Sequence, residues 1–541
     1  VRYHGLDALR AWAMSMGIVL HAAWILIPGE AGAPMTDASA ACVTDFVCLA
    51  SHTFRMQLFF VLAGVFAGLL LHKRGLAKFA LNRTQRILLP LAVFWLILCP
   101  IIMWQYNVAG LASGAIQSDK SAWELTGEYF ANIKPDNVML LHLWFLYYLC
   151  WVYVLVFAAR GVAAMVDRNR SVRDWVSGTF ATLASTRWSV LILAALFAPL
   201  MMPMKGSWGI DIGLASLYPK WPGLLTYVAY FVCGWLIFRN IDKLGLMVRG
   251  WRWQLAVGFL LIVPYFFYSK YVSQHGYATW TYPQLVIEDF RFENGHPAYA
   301  EFRDKLMTSP PDSISGALWQ SIPEENRTFV EQHESVSDNQ LNGLLVAINT
   351  TVLSEAEFTE RIDPDSMKLS GEPQSICQLP SADRTAEQNQ LLNRELLNVG
   401  FAGTIYSEDV HRPLYYPIRA AYCYVYSLIT WLLVFGFIGF SQHHFDRESR
   451  FWRYFSDSSY WFYLAHLPIQ FQILLWIGDK PWNPMLKFTV YVVGTTAVLI
   501  PSYHFLVRPT WIGWFLNGRM ASVWKQPAGV LQSESKAMSA A

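Results

Sequence analysis

The first apolar segment of the chain carries three side chains that could take part in proton transfer. Asp7 and Arg10 are three residues apart, so they share one face of a helix and can form an ion pair at its end. His21 follows eleven residues after Arg10, which is roughly 16 Å along a helix and near the middle of a bilayer. A neutral histidine can accept the proton of an alcohol. Two interpretations stand for His21: a general base above a polar floor of Asp7 and Arg10, or a core histidine bonded to a neighbouring helix.

Two arginines, Arg83 and Arg86, stand at the start of the third apolar segment. Residues three apart share a helical face, so both guanidinium groups can point the same way and match the oxygens of phosphate or pyrophosphate. The alternative interpretation is ordinary positive charge on the cytoplasmic side of a span. The spacing alone leaves both interpretations open.

Further polar residues are predicted near the opposite ends of the apolar segments. Arg55 lies at the start of the second segment, where positive charge is otherwise scarce. It either extends to the interface or contacts an acidic or hydroxylated substrate. His142 lies near the outer end of the fourth segment, and Tyr463 and His466 share a helical face in a late one. Taken singly, each of these histidines is expected to be structural.

The composition excludes most soluble classes of protein. Of the 541 residues 54% are apolar and only 15% are charged, against about 25% charged residues in an ordinary soluble domain. The formal net charge of +2 gives no indication of a nucleic-acid partner. No cysteine pair has metal-ligand spacing, so we expect no metal site. Cys42 and Cys48 share a predicted loop outside the cytoplasm, where they are either bridged or unpaired.

Ten apolar stretches are long enough to cross a bilayer, and the fold class that we predict is an all-α polytopic membrane protein. The predicted spans are 11–28, 53–71, 86–105, 139–159, 188–204, 222–238, 253–269, 415–440, 458–477 and 485–507. Lys and Arg are concentrated in alternate connecting segments and at both termini, which places both termini in the cytoplasm. The first seven helices form a core at 1–269, the last three lie in 414–510, and 511–541 is a cytoplasmic tail.

Between the two parts of the membrane core, residues 270–413 carry 22 acidic and 10 basic residues. This acidic segment follows the seventh span, so we expect an extracytoplasmic insert. Helical patterns at 298–307, 340–353 and 384–399 predict a small, mainly helical domain. It could hold a protein partner, and a homo-oligomer is the other association that we consider.

Four segments of the chain resemble the membrane acyltransferase 3 family. They are Leu-Asp-Ala-Leu-Arg-Ala at 6–11 followed by His21, Phe-Phe-Val-Leu-Ala-Gly at 59–64, Arg-Thr-Gln-Arg at 83–86, and Ser-Tyr-Trp-Phe-Tyr-Leu-Ala-His-Leu-Pro at 459–468. Within that family, segments 9–12, 54–60 and 142–146 resemble the members that succinylate osmoregulated periplasmic glucans. The resemblance covers roughly 1–269 and 415–510 and does not cover the insert.

The resemblance implies an acyl-CoA-dependent O-acyltransferase of the bacterial inner membrane. His21 would be the catalytic base, supported by Asp7 and Arg10, and Arg83 and Arg86 would bind the phosphates of acyl-CoA. Succinyl-CoA is the expected co-substrate, a periplasmic glucan is the expected acceptor, and no permanently bound cofactor is expected. From their positions, we expect the following residues to line the site or contact the acceptor: Arg55, Gln57, His142, Trp144, Tyr460, Tyr463 and His466.

Two alternatives stay open at this point. The enzyme could be an O-acetyltransferase of another cell-envelope glycan, which would use the same base with a different donor. The polar residues within the spans are also compatible with a glycan transporter or flippase, which would need no acyl-CoA.

Overall fold

The computed structural model describes residues 3–27, 42–113, 116, 118–204, 209–274 and 408–518. Between 275 and 407 it describes 284–286, 307, 324–332, 352–354, 372–377, 379, 383, 385 and 388. The described residues are overwhelmingly helical, which confirms the predicted all-α polytopic fold.

Eleven α-helices are described before residue 275. They are α1 (His4–Ile25), α2 (Cys42–His52), α3 (Arg55–Arg83), α4 (Leu89–Ser113), α5 (Ala122–Ala131), α6 (Trp144–Val166), α7 (Ser171–Ser185), α8 (Ser189–Met201), α9 (Trp221–Arg239), α10 (Leu244–Met247) and α11 (Trp251–Gln274). Later helices in the described residues are α12 (Glu324–Gln332), α13 (Glu372–Cys377), α14 (Glu408–Phe445), α15 (Arg450–Ile477), α16 (Pro484–Pro501) and α17 (Trp511–Asn517). Short 3-10 or π turns occupy Thr84–Leu88, Leu141–Leu143, Ile241–Lys243 and Ser502–Val507.

Seven described segments are long and apolar enough to cross a membrane. They are His4–Ile25, Val43–Ala112, Leu141–Val166, Trp221–Arg239, Trp251–Val272, Tyr416–Phe445 and Pro484–Val507. The 70-residue segment Val43–Ala112 contains the second and third predicted spans. The fifth predicted span is the 13-residue α8, and the ninth lies within the 28-residue α15. Each predicted span thus overlaps a helix, although α8 and α15 are not among the seven segments. The number of ten spans and the cytoplasmic termini stay predictions.

The helix that carries His21 packs chiefly against the helix that carries His466. These are α1 and α15, and α1 also contacts α14 and α2. A buried hydrogen bond fixes their register, because Gln470 Nε2 in α15 donates to the carbonyl oxygen of Ile18 in α1 at 2.7 Å. An amide buried in this way has to find a partner, so the bond specifies one alignment of the two helices.

Helices α3 and α9 approach each other closely because glycines lie at their contact. A Cβ atom on Gly64 would lie 2.0 Å from the carbonyl oxygen of Phe231, and a Cβ on Gly234 would lie 1.9 Å from that of Val61. Small residues allow this approach of two backbones within a membrane. Because α9 also packs against α6, the start of α3 is held beside the start of α6.

Two predictions outside the core are corrected by the structure. Val352 and Leu353, at the end of the predicted helical pattern 340–353, lie in strand β2 (Val352–Ser354), which pairs antiparallel with β1 (Gln284–Val286). Thr351 and Val352 are β-branched, which favours the extended backbone over the helix. Residues 340–351 and nearly all of 298–307 and 384–399 lie outside the described residues.

Cys42 and Cys48 lie in helix α2 rather than in a loop. Six residues of helix separate their Cα atoms by about 9 Å, beyond the roughly 7 Å that a disulfide can span. This spacing within a helix argues against the bridged alternative for the pair. Cys48 Sγ instead lies 3.7 Å from His52 Nδ1.

Candidate active site

A small cavity between the helices brings together polar residues from four parts of the chain. Its volume is about 30 Å³, enough for roughly two water molecules. Its lining includes six residues that the sequence analysis proposed, namely His21, Arg55, His142, Trp144, Tyr463 and His466. The rest of the lining was not predicted and consists of Ala13, Met14, Gly17, Met56, Phe59 and Phe145.

His21 and His466 form a hydrogen-bonded pair in this cavity. His21 Nδ1 lies 3.0 Å from His466 Nε2, and the ring centroids are 4.9 Å apart. The two residues are 445 positions apart in the chain, and the packing of α1 on α15 brings them together. His466 is buried, with an exposed fraction of 1%. The structure therefore places a second histidine against the one that the sequence analysis proposed as a base.

The hydrogen bonds of this pair assign the protons on the two rings. A carbonyl oxygen only accepts, so His466 Nδ1, which lies 3.0 and 2.8 Å from the carbonyl oxygens of Phe462 and Tyr463, carries a proton. By the same argument His21 Nδ1, 2.9 Å from the carbonyl oxygen of Gly17, also carries one. With a proton on each Nδ1, His21 Nδ1 shares its single proton between the Gly17 carbonyl oxygen and His466 Nε2, and His466 Nε2 is the acceptor of a neutral ring. In a neutral His21 ring the lone pair is therefore on Nε2, the nitrogen that can take a proton from a substrate.

A proline in α15 explains how His142 joins the site. Pro468 has no backbone N–H, so the carbonyl oxygen of Leu464, four residues earlier, loses its donor within the helix. His142 Nε2 donates to that oxygen at 3.0 Å, and the Tyr463 hydroxyl donates to the His142 carbonyl oxygen at 2.6 Å. His142 Nδ1 is buried and has no hydrogen-bond partner within the described residues. His142 Nδ1 can therefore accept a hydrogen bond from a substrate hydroxyl or a water molecule. The centroids of the His142 and His466 rings are 5.2 Å apart.

Arg55 brings a positive charge to the same cavity. Its exposed fraction is 9%, and no Asp or Glu of the described residues forms an ion pair with it. Its Nη2 donates to Met56 Sδ at 3.5 Å, and sulfur is a weak acceptor. A Cβ atom on Gly17 would lie 3.2 Å from Arg55 Nη1, so glycine at this position leaves room for the guanidinium.

Asp7 and Arg10 form the ion pair predicted from their spacing, with 3.5 Å between Arg10 Nη2 and Asp7 Oδ1. Arg10 Nη2 also donates to Ser456 Oγ at 3.2 Å, which ties the start of α1 to α15. Neither residue is part of the lining of the His21 cavity. The pair therefore supports the helix that carries His21 from its first turn, and a direct part in the reaction stays a prediction.

Arg83 and Arg86 have different surroundings although they are three residues apart. The π turn Thr84–Leu88 begins between them and alters the helical period. Arg86 Nη1 donates to the carbonyl oxygens of Trp514 and Phe515 in α17, at 3.0 and 2.6 Å. The Arg83 guanidinium lies over the ring of Phe79, 5.3 Å from its centroid. Their binding of acyl-CoA phosphates stays a prediction.

Two residues expected at the site have partners elsewhere. Gln57 is buried and is not part of the cavity lining, because its amide nitrogen donates to the His52 carbonyl oxygen at 3.0 Å and to the Tyr426 hydroxyl at 2.6 Å. The Tyr460 hydroxyl donates to the Arg86 carbonyl oxygen at 3.0 Å. Both side chains hold helices together. No group of three or more His, Cys, Asp or Glu side chains suited to a metal ion occurs in the described part of the chain.

Comparison with known proteins identifies the family of the chain. Residues 3–287 match the acyltransferase domain of the acyltransferase 3 family. Glucans biosynthesis protein C of Escherichia coli (strain K12) is 34% identical over 155 residues, which cover 27% of this chain and 35% of the relative. Glucans biosynthesis protein C of Shigella dysenteriae serotype 1 is 33% identical over 149 residues, with the same two shares. The matched part thus spans about a third of these curated relatives, and no solved structure matches the chain. The family model covers more than half of the residues and includes α1, α3 and α6 with His21, Arg55 and His142, so the chain belongs to the acyltransferase 3 family.

Proposed function

We propose that the protein is a membrane O-acyltransferase that moves a succinyl group from succinyl-CoA to a hydroxyl group of a periplasmic glucan. The observation that carries the proposal is the contact between His21 and His466, 3.0 Å, inside a cavity within a helical membrane protein. The glucan acceptor is supported by the names of the relatives, and the succinyl donor by the sequence resemblance. The bacterial inner membrane is the location at which a cytoplasmic donor can meet such an acceptor.

In the proposed reaction His21 acts as the general base. His21 Nε2 takes the proton of the sugar hydroxyl while the hydroxyl oxygen attacks the thioester carbonyl carbon. A C–O bond forms and the C–S bond breaks, and the departing thiolate takes the proton from His21. The neutral His466 accepts from His21 Nδ1 throughout, so it orients the ring and stabilises its charged form.

The other residues of the cavity would position the acceptor and exclude water. His142 Nδ1 is available to accept a hydrogen bond from a neighbouring hydroxyl of the sugar. Trp144, Phe59 and Phe145 supply an apolar lining, and water excluded from it cannot hydrolyse the thioester. Arg83 and Arg86 would bind the phosphates of the donor. Asp7 and Arg10, close to the same end of the core, would support the site.

The test is transfer from labelled succinyl-CoA to purified periplasmic glucan, followed by mass spectrometry. We expect a succinyl mass increment with the full chain and its loss with His21→Ala and His21→Gln at equal protein level. The exposed His72 offers a control, because His72→Gln keeps the increment. Succinyl transfer that persists without His21 would contradict the assignment of the base. An acetyl increment from acetyl-CoA alone would keep the base and replace the donor, and transport without any increment would replace the enzyme.

A further inference from the structure

A buried arginine without an acidic partner calls for an explanation, because a buried charge is costly unless it is paired. Arg55 is such a residue: it is 9% exposed and lines the cavity of the histidine pair, and within the described residues its polar contact is the thioether of Met56. A guanidinium offers five donors, and a carboxylate is the group whose geometry matches two of them at once. The site therefore contains a position for an anion beside the reacting groups.

The position of Arg55 relative to the histidine pair limits the size of that anion. A Cβ on Gly17 would lie 3.2 Å from Arg55 Nη1 and 3.6 Å from His466 Nε2, so the sum of these distances limits the separation of the two nitrogens to 6.8 Å. A chain of four carbons with C–C bonds of about 1.5 Å spans roughly 4 Å. A short dicarboxylic acyl group therefore has the length to extend from Arg55 to the histidine pair. It is larger than the cavity of about 30 Å³, so the cavity has to widen when the donor binds.

We infer that Arg55 binds the free carboxylate of a dicarboxylic acyl donor and thereby selects succinyl over uncharged acyl groups. This inference rests on the proposed function and deepens it. It also assigns Arg55 a role toward the donor, whereas the sequence analysis placed the residue with the acceptor.

The charge of Arg55 bears on the chemical step as well as on binding. When His21 takes the proton of the hydroxyl group it becomes cationic, and an unpaired Arg55 in the same cavity opposes that change. A carboxylate bound to Arg55 neutralises this repulsion. An uncharged donor of the same length leaves the repulsion in place, so discrimination against it should appear in kcat as well as in KM.

The test compares succinyl-CoA with butyryl-CoA, which has the same four carbons but no carboxylate, on the same glucan. With the full chain we expect kcat/KM to favour succinyl-CoA by about 10- to 150-fold, the range of one hydrogen bond to a charged group. In Arg55→Met, which keeps the length of the side chain and removes its charge, this ratio should fall close to one. Because the ratio is measured within one sample, it does not depend on the amount of folded protein.

Arg419→Met is the matched control, because Arg419 is also buried and donates to the carbonyl oxygens of Met201 and Met204, away from the cavity. It should leave the succinyl-to-butyryl ratio unchanged. An unchanged ratio in Arg55→Met would overturn the inference and leave the proposed function intact. Absence of any acyl transfer by the full chain would instead overturn the proposed function.

A binding measurement covers the case in which Arg55→Met is inactive with both donors. Succinyl-CoA should raise the melting temperature of the full chain more than butyryl-CoA does, and this difference should disappear in Arg55→Met. A difference that persists in the variant would overturn the inference without any need for activity.

Discussion

Replacing His466 by leucine tests the assignment of the ring protons most directly. Leucine fills a similar volume but cannot accept a hydrogen bond, so His21 Nδ1 loses the acceptor that lies 3.0 Å away and keeps the Gly17 carbonyl oxygen at 2.9 Å. In the proposed transition state this hydrogen bond is made by a charged ring, and such bonds contribute about 1.5–3 kcal/mol. Since about 1.4 kcal/mol corresponds to a tenfold change in rate, kcat for succinyl transfer should fall about 10- to 150-fold.

The assay is the initial rate of succinyl transfer from labelled succinyl-CoA to glucan in membranes, normalised to the amount of folded protein. KM for succinyl-CoA should change little, because His466 is not expected to touch the nucleotide. His466→Asn should recover part of the rate if its amide oxygen reaches His21 Nδ1, which separates a positioning role from simple loss of packing. His52→Leu is the matched control. His52 Nδ1 donates to the carbonyl oxygen of Cys48, four residues earlier, as His466 Nδ1 does to that of Phe462, but His52 is not part of the cavity lining. A His466→Leu enzyme with more than half of the original kcat would refute the assignment.

Two further predictions concern stability. Gly64→Ala would place a methyl group 2.0 Å from the Phe231 carbonyl oxygen, so α3 and α9 have to move apart; we expect a loss of about 1–3 kcal/mol, seen as a lower melting temperature in detergent. In Gly161→Ala, where a Cβ meets nothing within 4 Å, the melting temperature should stay the same or rise, and equal effects of the two changes would contradict the packing argument. Hydrogen bonds from the backbone and side chain of Arg173 lower the pKa of Asp167, a carboxylate in the connection between α6 and α7. Because its pKa is lowered by folding, this carboxylate stabilises the fold above its ordinary pKa, and that stability is lost as the pH falls through the lowered value. Asp167→Asn should therefore lower the melting temperature at neutral pH and have a smaller effect in strong acid, and a pH-independent effect would argue against the role of its charge.

The membrane helices and the position of the proposed base within α1 could be predicted from the sequence, because both depend on local patterns of residues. Apolar length fixes a span, and the spacing from Arg10 places His21 within α1. The partner of His21 was not accessible, because it depends on which helices pack together and in what register. Gln470 contributes to that register through its bond to α1, and nothing in its local sequence identifies this partner.

Other site residues differ from expectation for similar reasons. Gln57 follows Arg55 by two residues, but its side chain contacts α14 through Tyr426 rather than the cavity. The π turn after Arg83 gives Arg86 separate partners in α17, and α17 was predicted only as part of a tail. Pro468 is a sequence signal that predicts a further contact. It leaves the carbonyl oxygen of Leu464, four residues earlier, without a donor in its helix, and a buried histidine can supply that hydrogen bond.

The burial of Arg55 beside the histidine pair has an electrical consequence. In the proposed reaction, with the predicted orientation of the protein, the hydrogen of a glucan hydroxyl on the periplasmic side ends on the CoA sulfur on the cytoplasmic side. The acyl group moves from the cytoplasmic side to the periplasmic side. If that group is succinyl, each turnover moves one net negative charge outward, whereas an acetyl group moves none. The membrane potential, negative inside, then contributes about 2.3 kcal/mol per 100 mV to each succinylation. Arg55 would hold that charge while it is within the low-dielectric part of the protein, so the selection of the donor would also couple the reaction to the energised state of the membrane.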